Sequence, residues 1–299
     1  MERFKYAKAI NYSGYRNGQS PLTKTYPSKM EILEDLRLLE DEFYYLRMYD
    51  CTEHLIMTLE LIEEFNLNFQ VMIGLSLHAE ENHVGHSYFY IHKEVDLKSN
   101  KVENEILVTD IINISKKYSK IISSISIGNE TRSVWNNNRI SVDRLIEITK
   151  TIQTETNIPV TFCEEYQTWI EELSPLAKVV DFISLHTYPA WQLSKIDEAC
   201  DVAVRNFNEV QTLFKDKYCI ITETGWPTSS HGARIKAEDA TIENQLIYNR
   251  QISKWGEENN ILVYLFEAFD EPWKGEHNPK EPEKNWGIYS VDRIRKEKD

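Results

Sequence analysis

Two glutamates end strand-like segments and could act together on one chemical bond. Glu130 closes the segment ISSISIGNE, and Glu223 lies in YCIITETGWP, where Gly225 and Pro227 stop the strand. Cleavage of a glycosidic bond with retention needs two carboxyls about 5–5.5 Å apart, one protonated for the leaving oxygen and one ionised to attack the anomeric carbon. A single acid at a strand end is more often a salt-bridge partner, but two in these contexts predict such a catalytic pair.

Other predicted strand ends carry aromatic and hydrogen-bonding side chains, a composition that suits a sugar site. Sugar rings stack their C–H faces on flat aromatic rings, and their hydroxyls bond to amides, phenols and carboxylates. Trp226 is expected to offer such a face, whereas Trp191 and Trp273 fit a substrate platform and a loop anchor equally well. The remaining strand-end candidates for substrate binding are Asn129, Tyr49, Tyr188 and Glu271.

The order of the predicted elements indicates how these side chains would be brought together. Eight short runs rich in β-branched and aromatic residues alternate with longer helical segments, seven of them clear. This alternation predicts an α/β fold, a (β/α)8 TIM barrel, in a single domain covering residues 1–299. A doubly wound open sheet is the alternative, but no Gly-rich phosphate turn follows the first predicted strand. In a barrel, strands four and seven end on opposite sides of one mouth.

The composition narrows the classes of partner. Lys and Arg number 34 against 48 Asp and Glu, and the formal net charge of -14 argues against nucleic acid or a membrane surface as partner. The four cysteines have no CxxC spacing, and the histidines at 78, 83, 86 and 92 match no common ligand motif. The sequence therefore predicts no metal site and no cofactor.

The amino-terminal segment MERFKYAKAINYSG has no apolar stretch of the kind that forms a signal peptide. Localisation stays open between the cytoplasm and a secreted or periplasmic site reached with a leader that has been removed. We expect the protein to act as a monomer.

Several motifs carry a resemblance to a known family. SIGNE, VDFISLHTYP, ITETGWP and FEAFDEPWK, the last followed by EKNWGIYS, resemble the motifs of glycoside hydrolase family 17. That family comprises retaining β-1,3-glucanases and glucan transglycosidases on a (β/α)8 barrel. The resemblance runs from INYSGY to NWGIYS, nearly the whole chain, and implies a laminarin-type β-1,3-glucan as substrate, with no cofactor.

The resemblance also implies roles for matching positions. Glu223 matches the nucleophile that forms a covalent glycosyl-enzyme, and Glu130 matches the general acid/base. Asn129 matches a residue that reaches the 2-hydroxyl of the sugar, and Tyr188 an aromatic that lines the cleaving subsite. The residues that match supporting groups of the site in plant members are Glu271, Lys274 and Glu283.

Alternatives remain at this point. The glycosyl group could be transferred to a second sugar instead of water. The chain could also be a catalytically inactive carbohydrate-binding protein on the same barrel, or a related glycosidase acting on β-1,4-linked glucan or mannan. The presence of both Glu130 and Glu223 favours an enzyme.

One segment is longer than the family usually has after strand three. It runs from His78 to Lys101 and lies next to the expected cleft. We expect it to form a wall of the cleft that restricts the length or branching of the glucan.

Overall fold

Short runs of β-branched and aromatic residues form a closed barrel in the computed structural model, which describes residues 4–82 and 96–297. Eight parallel strands pair in chain order, and the last pairs with the first. The predicted (β/α)8 TIM barrel is confirmed. The strands are β1 (Ala9–Asn11), β2 (Tyr45–Arg47), β3 (Gln70–Gly74), β4 (Ile122–Asn129), β5 (Val160–Glu165), β6 (Ile183–His186), β7 (Cys219–Thr224) and β8 (Val263–Leu265).

Amphipathic segments between the strands form the helices around the barrel. Ser28 begins the first helix with a capping box, because its side chain accepts from the backbone of Glu31 while the Glu31 carboxylate accepts from the backbone of Ser28. The helices are α1 (Lys29–Leu39), α2 (Glu53–Glu64), α3 (Leu97–Lys117), α4 (Val142–Glu155), α5 (Tyr166–Glu171), α6 (Ser174–Ala177), α7 (Ile196–Leu213) and α8 (Ile242–Asn259). None of the helices in the described ranges is long and apolar enough to cross a bilayer.

Apolar side chains pack in two buried regions, one inside the barrel and one between the strands and the helices. The inner group lies near the amino-terminal ends of the strands and comprises Ala9, Tyr45, Met72, Cys163, Phe182, Ile220, Leu262 and Tyr264. Burial on both faces explains the nearly continuous apolar character of the strands. The opposite, carboxyl ends of the strands are left for polar side chains.

The segment after β8 returns across the barrel mouth. In the described part of the chain it contains only a 3-10 turn, Pro282–Lys284, and no α-helix. Near the carboxyl end, Arg293 Nε lies 2.7 Å from Oδ1 of the buried Asp35 in α1. This ion pair fixes the end of the segment against the first helix.

Gly225 sets the point at which β7 leaves the barrel. A Cβ at this position would lie 2.2 Å from the carbonyl oxygen of Phe266, so only glycine fits between β7 and the segment after β8. We expect Gly225→Ala to lower the free energy of unfolding by roughly 1–3 kcal/mol through overpacking. Urea denaturation measures this value, with Ser229→Ala on the partly exposed loop as the control. Unchanged stability of Gly225→Ala would contradict the close approach.

Candidate active site

Glu130 and Glu223 come together inside the mouth of the barrel. Glu223 lies in β7, and Glu130 directly follows β4. One carboxylate oxygen of each, together with a ring nitrogen of His186 in β6, all lie within 4.8 Å of one another. The two glutamates are only 6% and 4% exposed. This separation resembles the roughly 5–5.5 Å of retaining glycosidases and is shorter than the roughly 6.5–9.5 Å of inverting ones.

Three neighbours hold Glu223 in its ionised form. Arg47 Nη1 lies 2.5 Å from Oε1, and the Tyr188 hydroxyl donates to Oε2 over 2.5 Å. His186 Nδ1 is 3.6 Å from the same Oε2. Burial raises the pKa of Glu223, but His186, Arg47 and the hydrogen bonds from Tyr188 and Arg47 together lower it to about 2. At neutral pH the side chain is a carboxylate, the state that a nucleophile requires.

Glu130 has the opposite electrostatic environment. Burial raises the pKa of this carboxyl, and the negative charges of Glu223 and Glu165 raise it further, well above its ordinary value. Its Oε1 lies 2.6 Å from Nδ1 of His186. Its backbone is left-handed, with φ of 52°, and its N–H donates to the Cys163 carbonyl over 2.9 Å. The carboxyl is therefore held in place and favoured in the protonated form, as a general acid must be.

Arg47 connects Glu223 to three other strands. Its Nη1 also donates to Asn11 Oδ1 over 3.0 Å, and its Nη2 donates to Asn129 Oδ1 over 2.5 Å. The Asn11 amide in turn donates to the Thr222 carbonyl over 3.1 Å. The guanidinium thus fixes Glu223 relative to Asn129. Arg47 ends the second predicted strand, which is the signal for it in the sequence, but no binding or catalytic role was predicted for it.

Two tyrosines flank Glu223. The Tyr49 ring centroid is 4.4 Å from Cζ of Arg47. The Tyr188 ring packs edge-on against Trp286 and Phe266, with centroids 5.3 Å and 5.7 Å away. Trp286 and Phe266 are buried, and sequence reasoning missed both. Together these rings form a rigid apolar wall beside Glu223.

A second buried ionic group lies just after β8. Lys274 Nζ is 2.8 Å from Glu267 Oε2 and also pairs with Glu271, which accepts hydrogen bonds from the Ser13 hydroxyl and the Trp273 indole. Burial and the charge of Glu271 raise the pKa of Glu267. Burial also raises the pKa of Glu271, but Lys274 and the hydrogen bonds lower it below its ordinary value. Trp273 is therefore tied to an ionised carboxylate. Glu267 ends the eighth predicted strand, but no binding role was predicted for it.

Trp226 is not a surface for stacking a sugar. It is 1% exposed, its indole N–H donates to the Asp239 carbonyl over 2.8 Å, and its ring lies 5.8 Å from that of Tyr248 in α8. The prediction of a flat face for substrate was wrong. After Gly225 the chain turns the indole into the layer between barrel and helix, where it packs as core.

Two further candidates lie at the rim of the barrel mouth. Trp191 is partly exposed, with its ring centroid 5.9 Å from that of Trp286 and 5.1 Å from Cζ of Arg234. Glu283 belongs to the 3-10 turn and is partly exposed. Burial raises the pKa of Glu283, with a contribution of the same sign from Glu223, which indicates that the two carboxyls are close.

Within the described ranges, two groups have a spacing that could hold a metal ion. They are Glu130, His186 and Glu223, and at the rim His231, Glu276 and Glu281. The first is the carboxyl pair itself together with His186, and cleavage of a glycosidic bond by two carboxyls needs no metal.

The predicted cleft wall between His78 and Lys101 falls largely outside the described residues. Positions 83–95 are not described, and with them go three of the four clustered histidines, His83, His86 and His92. From Leu97 onward the segment belongs to α3.

Comparisons with known proteins agree with this geometry. A family model described as the BtgE/BtgC glycoside hydrolase domain matches residues 9–287. Among curated proteins, the "Probable glucan endo-1,3-beta-glucosidase btgC" of Aspergillus terreus is 27% identical over 94% of this chain and 43% of its own length. A "Glucan 1,3-beta-glucosidase" of Arthroderma benhamiae is 23% identical over 58% of this chain and 59% of its own. The chain thus spans less than two thirds of the length of these relatives.

Solved structures share the fold. An endo-laminarinase from Formosa Hel1_33_131 superposes with a TM-score of 0.79 at 24% identity, over 96% of this chain and 84% of the other. A glycoside hydrolase family 17 β-1,3-glucanosyltransferase from Rhizomucor miehei gives 0.75 at 19% identity, over 97% and 95%. At these identities the superpositions establish the barrel alone. Because the family model covers nearly all of the barrel, the chain belongs to the BtgE/BtgC glycoside hydrolase domain family.

Proposed function

We propose that this protein is a retaining glycosidase of glycoside hydrolase family 17 that acts on laminarin-type β-1,3-glucan. The observation that carries the proposal is the pair Glu130 and Glu223, with oxygens within 4.8 Å and pKa values shifted in opposite directions. Opposed shifts on adjacent carboxyls are the pattern of an acid and a nucleophile. The names of the fungal relatives and of the structural neighbours support β-1,3-glucan as the substrate.

The reaction proceeds in two steps. An ionised Glu223 oxygen attacks the anomeric carbon, while the proton of Glu130 passes to the glycosidic oxygen as the bond to the leaving sugar breaks. The products of this step are a covalent glycosyl-enzyme and a leaving sugar that carries the former glycosidic oxygen as a hydroxyl at its new non-reducing end. Glu130, now a carboxylate, takes a proton from water or from a sugar hydroxyl, whose oxygen displaces Glu223. Both carboxyls return to their starting states. Because one chain supplies both of them, a monomer can carry out the reaction.

The acceptor in the second step decides between hydrolysis and transglycosylation. Incubation with laminari-oligosaccharides, followed by separation of products by size over time, gives the answer. Shorter products indicate hydrolysis, and products longer than the substrate indicate transfer. Cello- and manno-oligosaccharides serve as β-1,4-linked controls, and their preferential cleavage would overturn the β-1,3 assignment. Binding of laminari-oligosaccharides without turnover would instead identify an inactive carbohydrate-binding protein.

The pH dependence of kcat/KM follows from the same pair. Glu223 must be ionised, and with a pKa of about 2 it loses this state only when the pH falls toward that value. Glu130 must be protonated, and because its pKa is raised, activity is lost only as the pH rises through that raised value. We expect a broad optimum, measured on a laminari-oligosaccharide from about pH 3 to about pH 9.

A control substrate separates the two limbs of the profile. An aryl β-glucoside with a very acidic phenol as leaving group needs no proton from Glu130. The pH profile of kcat/KM for this substrate, which reports the first step, should therefore have no alkaline limb. An alkaline limb near pH ~4.3, the ordinary pKa of a glutamate, would contradict the raised pKa.

A further inference from the structure

The rim beyond β4 carries exposed apolar side chains that the two-step mechanism does not use. Residues 131–136 form a tight turn in which the Asn136 N–H donates to the Ser133 carbonyl over 3.1 Å. The Asn136 side chain donates to the Asn129 carbonyl over 3.2 Å, so the turn folds back onto the end of β4. Within it, Val134 is 76% exposed and Trp135 is 37% exposed. The turn therefore exposes the side chains of Val134 and Trp135 close in the chain to Glu130.

Glu165 stands beside this turn at the end of β5. In the strand ladder it pairs with His186, the residue whose ring contacts Glu130. Its Oε2 accepts a hydrogen bond of 2.8 Å from the hydroxyl of Ser133 in the turn, and the side chain is partly exposed. Its charge is also close enough to raise the pKa of Glu130. Glu165 is therefore a partly solvated carboxyl at the edge of the catalytic pair.

The Ser133 hydroxyl joins Glu165 to its buried neighbour Glu164. The Ser133 hydroxyl lies within hydrogen-bond distance of two carboxyls, Glu164 and Glu165, but it has one proton to donate. Burial and the charge of Glu130 raise the pKa of Glu164 to about 8. Glu164 also accepts hydrogen bonds from the backbone N–H groups of Arg132 and Glu165, over 2.8 Å and 2.9 Å. These contacts hold Glu165, the more exposed of the two carboxyls, against the turn.

The position of Glu130 indicates which sugar of the substrate would lie next to the turn and Glu165. Glu130 delivers its proton to the oxygen of the leaving group, so the leaving sugar lies on the β4 to β6 side of the mouth. The turn follows β4, and Glu165 is the last residue of β5, so both lie on that same side. Tyr49 and Lys274 follow β2 and β8, on the other side of the mouth.

We propose that Glu165 and Trp135 bind the leaving-group sugar, and that they bind the acceptor sugar when the enzyme transfers. The Glu165 carboxylate accepts hydrogen bonds from ring hydroxyls, and the Trp135 indole stacks on an apolar sugar face. This assignment rests on the proposed function, because it presupposes that a sugar leaves from the Glu130 side. Glu165 and Trp135 would then determine which leaving-group sugars the enzyme accepts.

The test compares two donors on each variant. The first is a laminari-oligosaccharide, in which the leaving group is a sugar, and the second is an aryl β-laminaribioside with an acidic phenol. For Glu165→Gln and for Trp135→Ala, the ratio of kcat/KM on the oligosaccharide to kcat/KM on the aryl donor should fall by about tenfold. Glu171→Gln, at an exposed position on α5, is the matched control and should leave the ratio unchanged.

Two further outcomes would overturn the proposal. If both variants keep the wild-type ratio, Glu165 and Trp135 do not contact the leaving sugar. If Glu165→Gln only moves the alkaline limb of the pH profile to lower pH, its role is to support protonation of Glu130, since removal of a nearby negative charge lowers that pKa. The proposal requires a loss of similar size at every pH. Failure of wild-type protein to release phenol from the aryl donor would reject the proposed function itself.

Discussion

Replacement of Glu223 by Gln is expected to abolish both hydrolysis and transfer, with kcat on laminari-oligosaccharides lower by at least about 10⁴-fold. The amide keeps the shape of the carboxylate but cannot form the ester to the anomeric carbon. It also removes the negative charge that faces Arg47 Nη1 at 2.5 Å. Initial rates of formation of shorter and longer products, separated by size at saturating substrate, measure the loss of hydrolysis and of transfer.

The Glu223 variant needs a test of folding. A buried ion pair that loses one partner costs roughly 3–5 kcal/mol, because Arg47 is left without its counter-charge. Circular dichroism and thermal unfolding at the assay temperature show whether the barrel persists. Glu238→Gln, on the exposed part of the loop after β7, is the control and should keep wild-type rates. A folded Glu223→Gln protein with activity within about tenfold of wild type would rule out Glu223 as nucleophile.

Replacement of Glu130 by Ala should give a selective defect. Loss of the acid lowers kcat/KM on natural oligosaccharides by about 10²–10⁴-fold, because the leaving alkoxide is no longer protonated. An aryl donor with an acidic phenol forms the glycosyl-enzyme nearly as fast as before, so the second step becomes limiting. Steady-state and burst kinetics on the two donors separate these effects.

Azide distinguishes a missing acid/base from a damaged site. With Glu130 shortened to Ala, an azide anion fits beside the glycosyl-enzyme and displaces Glu223 from the anomeric carbon without needing a base. The expected product is the β-glycosyl azide, formed with faster turnover of the aryl donor. Equal losses on both donors, with no azide product, would contradict the role of Glu130.

The barrel and its acid pair could be read from the sequence because both depend on local patterns. Apolar runs that end in Glu130 and Glu223 mark strand ends, and the carboxyl ends of parallel strands meet at one mouth. The Ser28 and Glu31 spacing likewise predicts the start of α1, which has the capping box. The ionisation of Glu223 could not be read in this way, because Arg47 is distant in the sequence and meets it only in the closed barrel.

The errors arose where side-chain direction matters. Trp226 follows β7, the strand that carries Glu223, yet the turn at Gly225 sends its ring into the core. Periodicity from Asn104 predicts the third helix, but the helix begins at Leu97 because the Asp96 side chain accepts from the backbone N–H groups of the following turn. The spacing of hydrophobic residues does not show in which direction a turn sends the next side chain. It also does not show a helix start that is set by a capping side chain alone.

The most direct test of the central claim is capture of the covalent intermediate. A 2-deoxy-2-fluoro β-laminaribiosyl donor with a good leaving group slows the second step, so the glycosyl-enzyme accumulates and its mass can be measured. Proteolysis and peptide sequencing by mass spectrometry then locate the sugar. We predict one added glycosyl group, attached to the Glu223 carboxyl within the IITETGWP peptide. A label on any other residue, or full turnover of laminari-oligosaccharides with inverted products and no covalent adduct, would contradict it.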